Sequence, residues 1–339
     1  MEFRSITPHL GAEVTGIDLA EPMGSNTFNA LREGWLKWGV LVFRDQDLSR
    51  DQHVALGSKF GELHVHPMYK DQKEHPEILK VATNADSAYT AGDGWHTDVT
   101  CDEYPPMGSM LYVTETPACG GGDTLFADMY LAYELLSDKM KSILQGLTAV
   151  HDGALPYVGS YKSTPPEGGY PRHEHPVITT HPNTGKKVLY VNSGFTSHIK
   201  GLRPNESRAL LDMLFRHIES TPKLVARVDW EPNTLAFWDN RCTQHHAVWD
   251  YYPESRYGER VSIVADTRRN CFGKGLLIGA LSPPSVLQAI ALNCPVRRRL
   301  CIQSKPLCCE LSRSDKSKNY RLRQDIQRSR QAPEHYPLY

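Results

Sequence analysis

The sequence predicts a mainly β protein with flanking helices, built as a double-stranded β-helix (jelly roll). Short apolar segments with strand-like composition recur along the chain, and glycine, proline and other turn residues separate them. This pattern is typical of sandwiches and jelly rolls. Segments with helical spacing of their apolar residues lie mainly early and in the middle of the chain, so we expect helices to cover the outside of two packed sheets.

Four helices are expected from apolar spacing and capping signals. Aromatic and aliphatic residues recur at helical spacing in residues 25–39. Residues 49–52 (Ser-Arg-Asp-Gln) have the spacing of a capping box, which predicts a helix that continues to about Lys59. The same kind of pattern predicts helices near residues 127–145 and at 204–220.

The predicted strands are short apolar runs bounded by turn residues. They cover residues 40–43, 78–81, 108–116, 187–191, 224–230, 234–239 and 260–267.

The overall composition is that of an ordinary globular protein. The chain has 339 residues, 40% of them hydrophobic and 23% charged, and a net charge of -1, which gives no indication of binding to nucleic acid or an anionic membrane. No apolar run reaches about 18 residues, so no membrane span is expected. The N-terminus has no secretory pattern and the eight cysteines form no C-x-x-C pair, which favours reduced thiols and a cytoplasmic location.

The charge is distributed unevenly along the chain. Residues 276–339 contain 11 Lys and Arg against 4 Asp and Glu, and they contain no Trp or Phe. A segment with so few bulky apolar groups cannot easily offset the entropy of ordering. We therefore expect one catalytic domain at 1–275 and a basic, disordered extension at 276–339, with a functional basic arm as the alternative.

Two histidines and one aspartate are the candidate ligands of a metal ion. His96 and Asp98 are two positions apart in Trp-His-Thr-Asp, so on an extended strand both side chains would point to the same side. A distant histidine would complete the two-His, one-carboxylate set that holds non-haem Fe(II) and leaves coordination positions open. His245 and His246 are adjacent, so only one of them can face the metal, and the distance to Arg256 favours His245.

Two arginines follow the distal histidine. Arg256 and Arg260 are four residues apart around Gly258, and a bidentate guanidinium is a natural anchor for a carboxylate or a sulfonate. Either arginine alone could be an ordinary solvated side chain. Both together after a candidate metal ligand indicate binding of anionic ligands.

These residues resemble a known family, the taurine dioxygenase group of Fe(II)/2-oxoglutarate-dependent dioxygenases, across roughly residues 1–272. The family pattern of His-x-Asp, a later Thr, a distal His and an Arg after ten intervening residues corresponds here to His96, Asp98, Thr124, His245 and Arg256. Further similar segments are residues 95–100, 190–196 and 238–245. The resemblance implies Fe(II) as cofactor and 2-oxoglutarate, held by Thr124 and Arg256, as cosubstrate.

The resemblance extends to the sulfonate end of the substrate pocket. His66, Tyr69, Phe195 and Arg260 match substrate-binding positions of the taurine enzyme, and we expect the charge of Arg260 to face only the substrate. The chain departs from that enzyme at Gly92, where the family member has Asn. The loop at residues 154–161 also differs, and both departures concern the amine end of the substrate.

The implied reaction is hydroxylation of a small, taurine-like sulfonate at the carbon bearing sulfur. It would release sulfite and an aldehyde, together with succinate and CO2 from 2-oxoglutarate and O2. An alkyl sulfate or a phenoxyacetate-like carboxylate is the alternative within this chemistry, whereas Asp98 disfavours a halogenase. A non-catalytic jelly-roll metal-binding protein or a metal-dependent isomerase is the alternative from another class. A homo-oligomer is expected, with no nucleic-acid partner.

Overall fold

The computed structural model describes residues 1–65, 74–160 and 162–265. The predicted extension at 276–339 and the predicted substrate residues His66 and Tyr69 lie outside these ranges. The domain boundary near residue 275 therefore stays a prediction.

Strands make up most of the regular structure in the described residues. In chain order they are β1 (Glu2–Ser5), β2 (Ala12–Thr15), β3 (Val40–Phe43), β4 (Leu79–Thr83), β5 (Gly108–Glu115), β6 (Thr124–Asp128), β7 (Thr148–Asp152), β8 (Arg172–Pro176), β9 (Ile178–Thr180), β10 (Lys187–Leu189), β11 (Thr196–Ile199), β12 (Val225–Val228), β13 (Thr234–Asp239), β14 (Thr243–Ala247) and β15 (Arg256–Ile263). Each predicted strand has an observed counterpart, with shifted ends in most cases. Two strands that the sequence pattern does not predict, β6 and β14, carry candidate site residues.

Five α-helices are described. They are α1 (Ser25–Trp38), α2 (Arg50–Ser58), α3 (Met129–Glu134), α4 (Asp138–Leu144) and α5 (Pro204–Glu219), and short π-helical and 3-10 segments lie at Leu155–Ser160 and Pro222–Leu224. The predicted capping box is present, because Ser49 and Gln52 exchange side-chain to backbone hydrogen bonds at the start of α2. Among these helices, none has the length and apolar character that a membrane span requires.

The prediction of one helix over residues 127–145 is wrong. Strand β6 continues to Asp128, whose carboxylate accepts hydrogen bonds from the backbone N–H groups of Tyr130 and Leu131 and caps α3. Ser137 accepts from the N–H of Met140 and starts the separate helix α4. These two caps divide a segment whose apolar spacing alone looks like a continuous helix.

The described residues form four sheets, and two of them enclose the core that supports the site. The larger has seven strands in the order β1-β2-β3-β13-β5-β15-β4, and the smaller, opposite one has the order β12-β6-β14. Phe126 and Val228 of the smaller sheet pack in one buried cluster with Leu111, Val113 and Trp238 of the larger sheet. Burial of these side chains between the two sheets holds β6 and β14 in place against the larger sheet. Strands β6 and β14 carry Thr124 and His245, and β15 of the larger sheet carries Arg256 and Arg260.

Helix α1 closes the outer side of the larger sheet. Trp35 of α1 stacks on Phe237 of β13, with the ring centroids 4.4 Å apart. Both Trp35 and Leu31 of this helix are buried. The helix ends at Gly39, which has a φ of 69° and donates its N–H to the carbonyl of Trp35. The left-handed turn at this glycine leads the chain directly into β3.

Candidate active site

The three predicted metal ligands converge at one point. Oδ1 of Asp98 lies 4.0 Å from Nε2 of His96 and 3.8 Å from Nε2 of His245. One ligand atom from each of the three residues lies within 4.8 Å of the other two. Nδ1 of His96 lies 2.9 Å from the carbonyl oxygen of Gly94, so the ring donates there and keeps the lone pair of Nε2 for a metal. This donor set fits Fe(II).

The backbone around His96 and Asp98 differs from the expected strand. His96 exchanges two backbone hydrogen bonds with His245, at 3.0 and 2.8 Å, but this is an isolated bridge and the chain turns directly after it. Asp98 lies in that turn, and Val99 has a φ of 45°. A β-branched residue is rarely found in this left-handed region. A tight turn, rather than the alternation of a strand, therefore brings the two candidate ligands together.

The choice between the adjacent histidines is clear from their contacts. His245 is buried on β14 and lines the cavity described below. The ring of His246 points elsewhere, with Nε2 3.1 Å from Oδ1 of Asp93. The packing of His245 is also defined, because its ring centroid lies 4.9 Å from that of Trp238.

The electrostatic environment keeps the three candidate ligands in their metal-binding forms. Burial would raise the pKa of Asp98, but Arg260 and then the two histidines outweigh it and hold that pKa well below its usual value. Burial lowers the pKa of both His96 and His245. At neutral pH the site therefore presents one carboxylate and two neutral imidazoles.

Arg260 contacts the candidate ligand set directly, which the sequence does not predict. Its Nη1 lies 2.5 Å from Oδ1 of Asp98. The expectation that its charge faces only the substrate is therefore wrong, because the same guanidinium also neutralises the carboxylate of Asp98. Its Nε is buried without a hydrogen-bond partner in the described structure.

Arg256 and Thr124 form a second polar group in the same cavity. Arg256 is 4% exposed, and its Nε and Nη2 have no hydrogen-bond partner in the described structure. Trp230 lies beside both residues: its ring centroid is 5.1 Å from the guanidinium carbon, and its Nε1–H donates to Oγ1 of Thr124 at 3.0 Å. Because the indole is a donor only, the hydroxyl hydrogen of Thr124 remains available for a ligand.

Trp230 is a site residue that sequence reasoning missed. The sequence pattern predicts Trp230 as the last residue of a strand over 224–230, and in the structure it follows β12. Its role depends on contacts with residues far away in the chain, and nothing in the local pattern indicates them.

All of these groups line one cavity of about 370 Å³. The predicted site residues that line it are His96, Asp98, Thr124, Phe195, His245, Arg256 and Arg260. Apolar and aromatic side chains, among them Val81, Ala82, Pro156 and Tyr157, also form part of its wall. Gly92 also lines the cavity, and with a φ of 85° it places the backbone where an added Cβ would lie 3.1 Å from Cε1 of His96.

A second group of metal-type donors lies in the interior, formed by His181, Asp239 and Cys242. Arg241 donates to both carboxylate oxygens of Asp239, at 2.8 and 2.6 Å. His181 Nε2 lies 3.0 Å from the same carboxylate, and its Nδ1 accepts from two backbone N–H groups. Burial, followed by the charge of Asp239, raises the pKa of the Cys242 thiol. This group is a structural ion pair with its lone pairs already engaged.

Comparison with known proteins identifies the family. Residues 2–262 match the family described as "Taurine catabolism dioxygenase TauD, TfdA family". The chain belongs to this family. The alpha-ketoglutarate-dependent sulfonate dioxygenase of Saccharomyces cerevisiae is 34% identical over 283 residues, which cover 78% of this chain and 67% of the yeast protein. The alkylsulfatase of Acinetobacter baylyi is 30% identical over 313 residues, covering 86% of this chain and 93% of that protein.

Solved TauD/TfdA structures agree with the fold. The crystal structure of a taurine dioxygenase from Burkholderia xenovorans has a TM-score of 0.68 and 35% identity, and the match covers 78% of this chain and 89% of that one. Family membership confirms the predicted jelly roll and the predicted class, a dioxygenase that depends on 2-oxoglutarate (alpha-ketoglutarate). The homo-oligomer and the cytoplasmic location stay predictions.

Proposed function

We propose that this protein binds Fe(II) through His96, Asp98 and His245 and uses it to hydroxylate a small sulfonate at the carbon bearing sulfur. The hydroxylated product then breaks its carbon–sulfur bond and gives an aldehyde and hydrogen sulfite. In the same turnover 2-oxoglutarate and O2 are converted to succinate and CO2, so that one oxygen atom enters succinate and the other enters the substrate.

The observation that supports this proposal most strongly is that the candidate metal ligands and Arg256 line one cavity. Three candidate metal donors line the same space as Arg256, a buried arginine whose Nε and Nη2 have no hydrogen-bond partner among the residues that the structure describes. A charged guanidinium in such a place requires an anionic partner. A dicarboxylate that binds the metal at one end can supply that partner at the other.

The metal and the residues that line the cavity have different roles in this reaction. Bound Fe(II) would supply the activation of O2 and the oxidation chemistry. Arg256 and the hydroxyl of Thr124 hold the distal carboxylate of 2-oxoglutarate, while the ring of Trp230 covers the guanidinium. Phe195 and the apolar wall exclude water from the reacting carbon.

The substrate anion is assigned to Arg260. Its guanidinium lines the cavity close to Asp98, and its Nε, which has no hydrogen-bond partner in the described part of the chain, leaves a donor for a sulfonate oxygen. His66 and Tyr69 are proposed as further sulfonate ligands from the resemblance alone. The yeast relative named a sulfonate dioxygenase supports this substrate class.

A sulfate ester is the second candidate substrate. The Acinetobacter relative is named an alkylsulfatase, and the cavity wall formed by Val81, Ala82 and Pro156 suits an alkyl chain. A sulfate ester presents to Arg260 the same face as a sulfonate does, three oxygen atoms that share one negative charge. Hydroxylation beside the ester oxygen would release sulfate instead of sulfite.

The experiment that tests the proposal measures succinate, sulfite and sulfate together. The full chain is incubated with Fe(II), 2-oxoglutarate and O2 and with a panel of taurine, alkylsulfonates, alkyl sulfates and phenoxyacetates. We expect succinate to form in equal amounts with sulfite for sulfonates. Succinate with sulfate only would favour the sulfate ester, and no substrate-dependent succinate anywhere in the panel would overturn the proposal.

We also propose that residues 1–275 suffice for this chemistry. Every described site residue precedes residue 266, and the extension at 276–339 has the basic, weakly apolar composition noted above. A chain that ends at residue 275 should remain soluble and keep Fe(II)-dependent turnover. Precipitation, or loss of turnover with metal binding intact, would assign a structural or regulatory role to the extension.

A further inference from the structure

Ser109 lies directly behind the metal-facing carboxylate. Its Oγ is 2.8 Å from Oδ2 of Asp98, and the residue is fully buried on β5. A carboxylate is an acceptor only, so the serine hydroxyl must donate its single hydrogen to Asp98. This bond engages Oδ2 and leaves Oδ1 as the oxygen that faces both histidines.

Other groups fix the orientation of the Ser109 hydroxyl. Nδ2 of Asn240 donates to Oγ of Ser109 at 3.1 Å, and Oδ1 of Asn240 in turn accepts from Nε1 of Trp238 at 2.9 Å. Because an indole N–H can only donate, the amide of Asn240 has one possible orientation, with its NH2 group towards Ser109. The hydrogen bonds therefore run in one direction, from Trp238 through Asn240 and Ser109 to Asp98.

Ser262 completes the environment of Ser109. Its Oγ lies 3.1 Å from Oγ of Ser109, and the two serines are register partners on the adjacent strands β15 and β5. Since the hydrogen of Ser109 is already given to Asp98, Ser262 donates in this pair. Ser109 thus accepts from two groups and cannot rotate its hydroxyl away from the carboxylate without losing a bond.

We propose that Ser109 is a positioning residue, which holds the carboxylate of Asp98 in a one-oxygen binding mode and directs Oδ1 towards the metal. The inference rests on the proposed function, because it requires Asp98 to be a metal ligand. Asp98 lies in a turn rather than a strand, so the backbone alone does not fix its side chain. Arg260 contacts Oδ1 of this carboxylate, and the hydrogen bond from Ser109 in the larger sheet fixes the other oxygen, Oδ2.

Metal affinity, measured with Mn(II), tests this role without relying on turnover. Binding to the full chain is followed by electron paramagnetic resonance of free Mn(II) for the wild type and for Ser109→Ala. Loss of a group that orients a metal ligand commonly weakens metal binding about 10–100-fold. We expect the Kd of Ser109→Ala to rise by that factor, and we expect Ser109→Thr, which keeps the hydroxyl, to stay within about 3-fold of wild type.

Ser262→Ala is the matched control. It removes the other hydroxyl of the same cross-strand pair but leaves the bond between Ser109 and Asp98. We expect its Mn(II) affinity to change by less than about 3-fold, below the range for a direct orienting partner, and its melting temperature without metal to fall by less than that of Ser109→Ala, which loses the bonds to Asp98, Asn240 and Ser262. Equal losses of affinity in both alanine variants, or an unchanged Kd in Ser109→Ala, would overturn the positioning role.

Asp98→Ala separates this inference from the proposed function. If Asp98→Ala loses Mn(II) binding and Ser109→Ala does not, the metal site stands and the role of Ser109 is wrong. If Asp98→Ala binds Mn(II) like the wild type, the proposed metal site is wrong and the role of Ser109 fails with it.

Discussion

The two buried groups of metal-type donors differ in what their lone pairs contact. The residues of the His96–Asp98–His245 group line a cavity of about 370 Å³, and Arg260 contacts Oδ1 of Asp98 through one nitrogen only. In the His181–Asp239–Cys242 group the carboxylate is already bound by Arg241 and His181, and the thiol is protonated because burial raises its pKa. Residue types and mutual distances alone would rank these groups as equals.

This comparison shows that hydrogen bonding, rather than residue type, separates a site from a structural ion pair. The structural group uses a bidentate arginine to satisfy Asp239, which needs no further ligand. The candidate site also has an arginine, but Arg260 contacts Asp98 through Nη1 only and leaves Nε unpartnered in the described structure. An incompletely satisfied buried charge marks the place where a ligand is expected.

The largest expected effect is the loss of turnover in Asp98→Ala. This change removes one ligand atom and the negative charge of the site, so we expect no succinate above background and a chain that still folds. Succinate formation measured by mass spectrometry and the far-UV circular dichroism spectrum check the two parts. Hydroxylation near the wild-type rate would contradict the ligand assignment.

Asp239→Ala should instead act on stability. It leaves the buried guanidinium of Arg241 without its carboxylate, and breaking a buried pair by removing one partner commonly costs about 3–5 kcal/mol. We expect the free energy of unfolding in urea to fall by this amount, while Mn(II) affinity of the folded protein stays that of the wild type. Lost metal binding at unchanged stability would show that the two groups have been assigned the wrong way round.

Arg256→Ala tests the anchor for 2-oxoglutarate. Cutting one partner from a buried charge pair costs about 2–5 kcal/mol, which corresponds to a rise of tens to thousands of fold in the 2-oxoglutarate concentration that gives half-maximal rate. Arg260→Ala is the matched control, in which the sulfonate requirement should rise more than the 2-oxoglutarate requirement. Equal increases of both requirements in Arg260→Ala would place the substrate anion elsewhere.

His53 provides a smaller, pH-dependent contrast, since this buried histidine faces the core and not the cavity. Its side chain is 1% exposed, and burial lowers its pKa to about 4. In the unfolded chain His53 takes up a proton as the pH falls below about 6.5, whereas in the folded protein it stays neutral until about pH 4. The contribution of a neutral His53 to the free energy of unfolding is therefore fully present above pH 6.5 and is lost as the pH falls to 4. The loss is about 3 kcal/mol at about 1.4 kcal/mol per unit.

The pH dependence is measured by urea unfolding of the wild type and His53→Leu at pH 7 and pH 4.5. We expect the variant to lose less stability over this interval, because it has no group that must remain neutral on folding. A wild type and a variant with the same pH dependence would show that His53 is protonated at no cost.

The sequence could predict the groups whose spacing is itself informative. The separation of His96 from Asp98 and of His245 from Arg256 indicated residues that the structure brings into one cavity. Local sequence patterns gave wrong or missing predictions where contacts between distant residues determine the secondary structure. Strand β14 forms because it pairs with β6. Asp128 ends β6 and caps α3 within a segment whose apolar spacing predicts one continuous helix. Trp230 and Ser109 were missed for the same reason, since each acts on a residue from another part of the chain.

The most direct test of the account is a crystal structure of the protein with Mn(II) and 2-oxoglutarate bound without O2. Anomalous scattering locates the metal independently of any assumption about its ligands. We expect Mn(II) bound by His96, Asp98 and His245, with the distal carboxylate of 2-oxoglutarate against Arg256 and Thr124. Manganese at His181, Asp239 and Cys242, or 2-oxoglutarate away from Arg256, would contradict the account.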